Sequence, residues 1–211
     1  RITPQKRRSV LMSFRDIAGH DREIGILRGA VSTGRVAHAL LFAGPDGIGK
    51  KKTAIALAQA LNCDGYGGDS CGVCDDCVRM EGGTHQNLVT VWPIDKPLDK
   101  GGERDDVGGL IRIDQVRDVL NAVRFKVEKG RRVVIVESAE RFMPQAANAF
   151  LKTLEEPPAG SIIILLTSRV SDLLPTILSR CQRINFRPLD AGTLSSIISA
   201  QLGCAPREAA T

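Results

Sequence analysis

Residues 44–51 read Gly-Pro-Asp-Gly-Ile-Gly-Lys-Lys, and this spacing is typical of a loop that binds phosphate groups. Three glycines would let backbone N–H groups converge on phosphate oxygens: Gly44, Gly47 and Gly49. Lys50 would reach the terminal phosphates of ATP or ADP. The last position normally carries Ser or Thr, whose hydroxyl binds Mg²⁺, but here it is Lys51. Lys51 is either a solvated lysine or an ammonium that partly replaces the charge of Mg²⁺.

Acidic residues are expected on a later strand of such a site, and residues 133–140 read Val-Val-Ile-Val-Glu-Ser-Ala-Glu. Glu137 could serve the metal, whereas Ser138 cannot polarise a water molecule and Glu140 is expected to point elsewhere. Thr167 would either contact a γ-phosphate or satisfy the backbone at a strand end. Because Lys51 and Ser138 both lack the required chemistry, we expect no ATP hydrolysis by this chain itself.

Four of the six cysteines are closely spaced, with the pattern C-x₇-C-x₂-C-x₂-C. Such C-x₂-C spacings place sulfurs close enough for tetrahedral Zn²⁺, and four thiolates without His predict a structural zinc site. An iron–sulfur cluster and unligated thiols are the alternatives. The proposed ligands are Cys63, Cys71, Cys74 and Cys77. We expect Cys181 and Cys204 to be small buried residues, and we assign no metal role to the three scattered histidines, His20, His38 and His85.

The triplet Ser179-Arg180-Cys181 precedes the last predicted strand. An arginine held there near a sheet edge could reach the phosphate site of a neighbouring subunit and neutralise charge on a γ-phosphate, as arginine fingers do in trans. The ordinary alternative is that Arg180 pairs with a carboxylate of its own chain.

Alternating strand and helix patterns predict a three-layer α/β fold with a five-stranded parallel sheet. Predicted strands span residues 39–43, 88–92, 133–136, 162–167 and 183–186. Predicted helices span residues 21–32, 51–61, 114–123, 144–154 and 191–202. We interpret residues 96–109, which are rich in Gly and mixed charges, as an exposed and mobile loop.

The composition is that of an ordinary globular chain of 211 residues, with 43% hydrophobic and 25% charged residues. No apolar run is long enough to span a bilayer, and no secretory signal is visible, so we expect a cytoplasmic protein. The net charge of +5 slightly favours a partner that carries phosphates. The basic residues 1–12 are interpreted as an N-terminal extension, either a nucleic-acid arm or a remnant ahead of a start at Met12.

The chain resembles the AAA+ clamp-loader subunits of bacterial DNA polymerase III over roughly residues 13–202. The matching segments are residues 38–42, 61–63, 71–77, 149–158 and 175–181. The most specific of them reads Leu-Lys-Thr-Leu-Glu-Glu-Pro-Pro at residues 151–158, together with Ser-Arg-Cys at residues 179–181. Within that family the gamma/tau motors carry Thr at the end of the P-loop and Asp-Glu on the third strand. The departures at Lys51, Glu137 and Ser138 make the chain similar to the delta-prime type.

This resemblance implies a stator that donates Arg180 as an arginine finger to the adjacent ATPase subunit of the DNA polymerase III holoenzyme. The implied partners are the gamma/tau and delta subunits, the sliding clamp and, through the complex, primed-template DNA. It also implies an AAA+ P-loop domain at residues 13–187 with a zinc knuckle at 63–77, and the start of a truncated helical lid domain at 188–211. The alternatives are a divergent gamma/tau-like motor that hydrolyses ATP and another P-loop enzyme such as a nucleotide kinase.

Overall fold

A computed structural model describes residues 13–65, 68–125 and 127–202. Its centre is one parallel sheet of five strands in the order β2-β3-β4-β1-β5, which confirms the predicted α/β class. The strands are β1 (Ala39–Ala43), β2 (Leu88–Val91), β3 (Arg132–Val136), β4 (Ser161–Thr167) and β5 (Gln182–Asn185). The three inner strands β1, β3 and β4 are buried along their whole length, because helices cover both faces of the sheet.

Seven α-helices precede, connect or follow the strands in the described part of the chain. They are α1 (Asp21–Ser32), α2 (Lys50–Asn62), α3 (Asp75–Glu81), α4 (Ile113–Arg124), α5 (Pro144–Glu155), α6 (Pro175–Leu178) and α7 (Ala191–Leu202). One hydrophobic core packs α1 and α2 against the sheet around Leu57 and Phe42. The other packs α4 and α5 on the opposite face around Val119 and Phe150. The two cores produce the predicted three layers.

The predicted elements agree with the observed ones to within one residue at every bound. The sequence missed α3, which lies inside the cysteine segment, and predicted a helix at residues 173–178 that is observed as the four-residue α6. Neither helix is long enough to show a 3.6-residue hydrophobic period. Residues 1–12 and Cys204 lie outside the described residues.

Residues 96–109 are mostly exposed, as predicted, but hydrogen bonds hold this segment in place. The amide of Asp105 donates to Pro93 O at 2.9 Å, and Ile94 and Leu110 exchange two backbone hydrogen bonds of 3.0 Å. The Asp95 carboxylate accepts a further bond of 2.8 Å from the Glu103 amide. We call residues 93–110 the strap, because this segment follows β2 closely and hydrogen bonds join its two ends to each other.

Among the described residues, no helix is both long enough and apolar enough to cross a membrane.

Candidate functional site

The phosphate-binding loop connects β1 to α2, as the sequence predicts. Gly44 has φ 155°, and a Cβ atom there would collide with the carbonyl oxygen of Phe186, so only glycine fits. Gly49 has φ 107° at the position that caps α2, and Gly47 also has a positive φ. These three conformations turn the backbone around the N-terminus of α2, where N–H groups favour an anion.

Lys50 is buried and folds back onto its own loop. Its Nζ atom donates to Gly44 O and Pro45 O at 2.6 Å each and lies 3.6 Å from Asp46 Oδ1. Burial lowers the pKa of the Lys50 ammonium, and the nearby charges of Asp46 and Glu140 partly oppose that shift. In this arrangement the loop itself supplies the oxygen atoms that neutralise Lys50.

Lys51 forms an ion pair with Glu137, the residue that follows β3. Lys51 Nζ lies 2.7 Å from Glu137 Oε1, and the Glu137 side chain is only 10% exposed. Two of the three residues that depart from the gamma/tau pattern, Lys51 and Glu137, therefore contact each other. The Lys51 side chain is 48% exposed, so it is a solvent-accessible lysine that also pairs with a mostly buried carboxylate.

Arg104 is a site residue that the sequence analysis missed. Its guanidinium donates to Glu137 Oε2 at 2.9 Å and to Glu137 Oε1 at 3.4 Å. Arg104 Nε donates to both carboxylate oxygens of Asp106 at 2.9 Å, and the guanidinium lies 5.6 Å from the centre of the Trp92 ring. Hydrogen bonds to Asp106 and Glu137 raise the pKa of Arg104, and the bond from Arg104 lowers the pKa of Asp106.

The other candidate residues at this sheet edge bond to protein groups. Thr167 is buried at the end of β4, and its Oγ1 atom accepts a bond of 3.1 Å from the Arg169 amide. Ser138 has a left-handed backbone, with φ 51°. Glu140 was expected to point elsewhere, yet its Oε1 atom accepts a bond of 2.8 Å from Ser168 Oγ, next to Thr167. Glu140 therefore belongs to the site region.

His20 supports the loop from the side of α1, another contact that the sequence did not reveal. Its Nε2 atom lies 2.7 Å from Ile48 O, and its ring packs edge-on against Phe186 at 4.9 Å. His20 is buried, so it fixes the loop backbone and the start of α1 relative to each other.

The four predicted cysteine ligands come together between α2 and α3. Their sulfur atoms all lie within 4.8 Å of one another. Cys63 and Cys74 Sγ are 3.8 Å apart, and Cys71 and Cys77 Sγ are 4.0 Å apart. Zinc–sulfur bonds of about 2.3 Å in a tetrahedron require separations of about 3.8 Å, so this group fits a metal ion of that size.

Backbone N–H groups also point at these sulfurs, as a site for thiolates requires. Gly65 and Cys71 donate to Cys63 Sγ at 3.1 and 3.3 Å, and the Cys74 amide lies 3.4 Å from Cys71 Sγ. Backbone bonds from Val73 and Cys74 lower the pKa of the Cys71 thiol to about 6, whereas burial raises the pKa of Cys77. Cys181 is half-buried, and its burial raises its pKa to about 11.

Arg180 lies just after α6, near the surface. Its guanidinium pairs with Glu155 Oε1 at 2.7 Å and donates to Thr176 O at 2.9 Å. The ordinary alternative from the sequence, a carboxylate partner in the same chain, is therefore present in the isolated chain. The Arg180 side chain is 34% exposed and that of Glu155 is 49% exposed, so both remain accessible from solvent.

Residues 19–190 match the model of the family described as "DNA polymerase III, delta subunit". This chain belongs to the clamp-loader subunits of DNA polymerase III. Within them it is a member of the group that contains gamma/tau and delta-prime.

Relatives of both types resemble this clamp-loader chain. It is 34% identical over 180 residues to DNA polymerase III subunit tau of Salmonella typhimurium, covering 84% of this chain and 26% of that protein. It is 40% identical over 149 residues to subunit delta' of Pseudomonas aeruginosa, covering 69% of this chain and 42% of that protein. The chain thus spans about a quarter to two fifths of the length of these relatives.

Solved structures support the same fold at low sequence identity. A gamma subunit-related protein of Thermotoga maritima superposes with a TM-score of 0.55 at 22% identity, covering 83% of this chain and 49% of that one. The RuvB Holliday junction branch migration motor of the same organism gives a TM-score of 0.58 at 17% identity, covering 91% and 54%. The clamp-loader chain therefore has the fold of P-loop AAA+ proteins.

Proposed function

We propose that this chain is a delta-prime-like stator of the DNA polymerase III clamp loader. In this role it does not hydrolyse ATP and donates Arg180 in trans to the ATP site of the neighbouring motor subunit. Its partners are the gamma/tau and delta subunits, the sliding clamp and, through the complex, primed-template DNA. It acts during loading of the sliding clamp in DNA replication.

The observation that supports the stator role most strongly is the ion pair between Lys51 and Glu137. Hydrolysis of ATP at a P-loop needs a hydroxyl that binds Mg²⁺, an acidic residue that orients the metal shell, and a group that positions the attacking water. Position 51 provides an ammonium, Glu137 is bound to two cations, and Ser138 has no carboxylate. Gly44, Gly47, Gly49 and Lys50 retain the backbone cradle, so ATP or ADP phosphates could still bind there, and Thr167 could contact a γ-phosphate.

The position of Arg180 would allow its guanidinium to leave Glu155 and bind a phosphate of a neighbouring subunit. Its partner Glu155 is half-exposed, and exposed ion pairs contribute only about 0.2–1 kcal/mol. A triphosphate offers several negatively charged oxygens, to which the planar guanidinium donates in parallel. The ion pair with Glu155 would therefore orient Arg180 in the isolated chain and would be weak enough to be replaced by a phosphate of the neighbouring subunit.

We propose zinc as the metal of the cysteine cluster, with Cys63, Cys71, Cys74 and Cys77 as its ligands. Four thiolates leave no open coordination position, so the metal is structural and does not take part in a reaction. It would tie the end of α2, which begins at the phosphate loop, to α3.

The arginine finger is tested in a loader reconstituted with the full-length parent of this chain, the clamp and primed DNA. Arg180→Ala is expected to lower ATP turnover about tenfold or more with assembly intact. Arg183→Ala, which removes an exposed arginine from β5, is the matched control. Glu155→Ala removes the resting partner of Arg180 and is expected to retain turnover. Unchanged turnover in Arg180→Ala, or an equal loss in Glu155→Ala, would make Arg180 a structural residue.

A gamma/tau-like motor that hydrolyses ATP is the second candidate, favoured by the tau similarity across 84% of the chain. It predicts ATP turnover in a reconstituted loader whose other subunits carry disabled P-loops. The stator proposal predicts none.

A further inference from the structure

Both oxygen atoms of Glu137 are occupied by side-chain cations. Lys51 Nζ lies 2.7 Å from Oε1, and Arg104 Nη2 lies 2.9 Å from Oε2. Magnesium at a P-loop is bound by the hydroxyl at position 51, by acidic groups at the strand end and by the phosphates themselves. The residues present here do not fit that ion, because the hydroxyl is absent and the carboxylate is paired on both sides.

Arg104 is positioned by its own restraints and does not depend on Glu137 alone. Hydrogen bonds join Pro93, Ile94 and Asp95 to the second half of the strap and close it on itself, and Asp106 accepts two bonds of 2.9 Å from Arg104 Nε. Trp92 lies against the guanidinium at 5.6 Å. The strap thus holds the Arg104 guanidinium in a defined position beside Glu137, next to the phosphate loop.

The charges at this edge are already balanced without a divalent cation. Lys50 lies next to Asp46, Lys51 next to Glu137, and Arg104 next to both Asp106 and Glu137. Each cation therefore has a carboxylate within 3.6 Å. A divalent ion would add two positive charges and would have to displace Lys51 and Arg104 from Glu137 in a mostly buried position.

We propose that Lys51 and Arg104 together replace the magnesium ion of this phosphate loop and close the site to divalent cations. Arg104 is thus a specificity-determining residue, and a nucleoside polyphosphate that enters the loop does so as a metal-free anion. This inference extends the proposed lack of hydrolysis and does not depend on the role of Arg180. The two tests can therefore fail separately.

Mn²⁺, which has the ligand preferences of Mg²⁺ and is paramagnetic, is the probe. Bound Mn²⁺ is counted by equilibrium dialysis of the zinc-loaded full-length protein against Mn²⁺ and ADP, because ADP itself chelates the ion. The excess Mn²⁺ on the protein side is measured by EPR after acid releases it. The variants are Lys51→Thr, Arg104→Ala and the double variant Lys51→Thr/Arg104→Ala. The matched control is Lys51→Thr/Arg117→Ala, because Arg117 is an exposed arginine on α4 that is not in the Glu137 cluster. Circular dichroism and zinc content verify that each variant is folded.

The unchanged protein is expected to bind no Mn²⁺ at this site, and the double variant about one equivalent per chain. Its apparent affinity for Mn²⁺ should exceed that of the control by at least about tenfold, because the control retains Arg104, which still opposes the ion. The single variants should gain little, since one cation still pairs with Glu137. Mn²⁺ binding by the unchanged protein, or no gain in the folded double variant, would overturn the proposal.

Discussion

Replacing Asn62 by Ala should weaken the connection between α2 and the sheet. Asn62 is the last residue of α2, directly before Cys63, and its side chain is buried. Its Nδ2 atom donates to Ala58 O and Arg131 O at 2.9 Å each. Its Oδ1 atom accepts from Asn87 Nδ2 at 3.0 Å and from the Arg131 amide at 3.2 Å. One amide therefore joins the end of the helix to the starts of β2 and β3.

The expected loss in the free energy of unfolding is about 2 kcal/mol for Asn62→Ala. The bond to Asn87 is fully buried, while the two bonds to Arg131 lie at a partly buried edge, where water can replace them in part. Asn87 keeps its second bond of 2.8 Å to Lys129 O, and the Ala58 carbonyl is inside the helix ladder. Because these groups keep other partners, the loss in the free energy of unfolding is smaller than the summed contributions of four independent hydrogen bonds.

Urea unfolding of the zinc-loaded chain, monitored by circular dichroism, measures this loss in the free energy of unfolding. Asn121→Ala is the matched control, because Asn121 is exposed on α4 and should change stability by less than about 0.5 kcal/mol. Zinc content is measured in each sample, so that metal loss is not mistaken for a packing effect. A loss below about 0.5 kcal/mol for Asn62→Ala at equal zinc content would refute the proposed link between the helix end and the sheet.

Two further predictions concern the metal cluster and the strap. Cys77→Ser should abolish binding of about one zinc per chain, whereas Cys181→Ser should retain it. Metal analysis of the purified proteins measures the zinc content. Equal zinc content in both variants would contradict the proposed ligand set. In Arg104→Ala the pKa of Asp106 should rise towards 3.8, because the bond from Arg104 lowers it in the unchanged chain. That lowered pKa means that the pairing stabilises the fold at neutral pH and is lost as the pH falls below 3.8. Carboxyl NMR titration measures the shift, and an unchanged pKa would contradict the pairing.

The fold could be predicted because its signals are local. Runs such as Ile-Ile-Ile-Leu-Leu at residues 162–166 fit a strand covered on both faces, and glycines or prolines mark the ends of the long helices. The short helices α3 and α6 also have such markers, Gly82 and Pro175, but they are too short to show a hydrophobic period, and tertiary contacts determine them. Cys77 and Met80 of α3 and Ile177 of α6 are buried, which holds each helix against the rest of the chain.

The site could be predicted only where spacing encodes it. The glycines of the phosphate loop and the four cysteines follow fixed intervals, so the sequence identified them directly. The second partner of Glu137 does not follow any interval, because Arg104 is 33 residues before Glu137 in a segment without periodicity. Its neighbours Glu103, Asp105 and Asp106 make it look like part of a solvated charge run.

Lys51 and Arg104 are best considered together, because both pair with the same carboxylate, that of Glu137. A carboxylate that is only 10% exposed needs a cation, and in a magnesium-dependent site the metal shell provides it. Once position 51 lacks the hydroxyl, Glu137 must be neutralised by the protein, and Lys51 does so from the loop. Arg104 then adds a second cation, and Asp106 balances the extra charge at 2.9 Å. Restoring Thr at position 51 alone would leave Glu137 held by the strap, so a return to magnesium chemistry requires changes in two segments that are far apart in sequence.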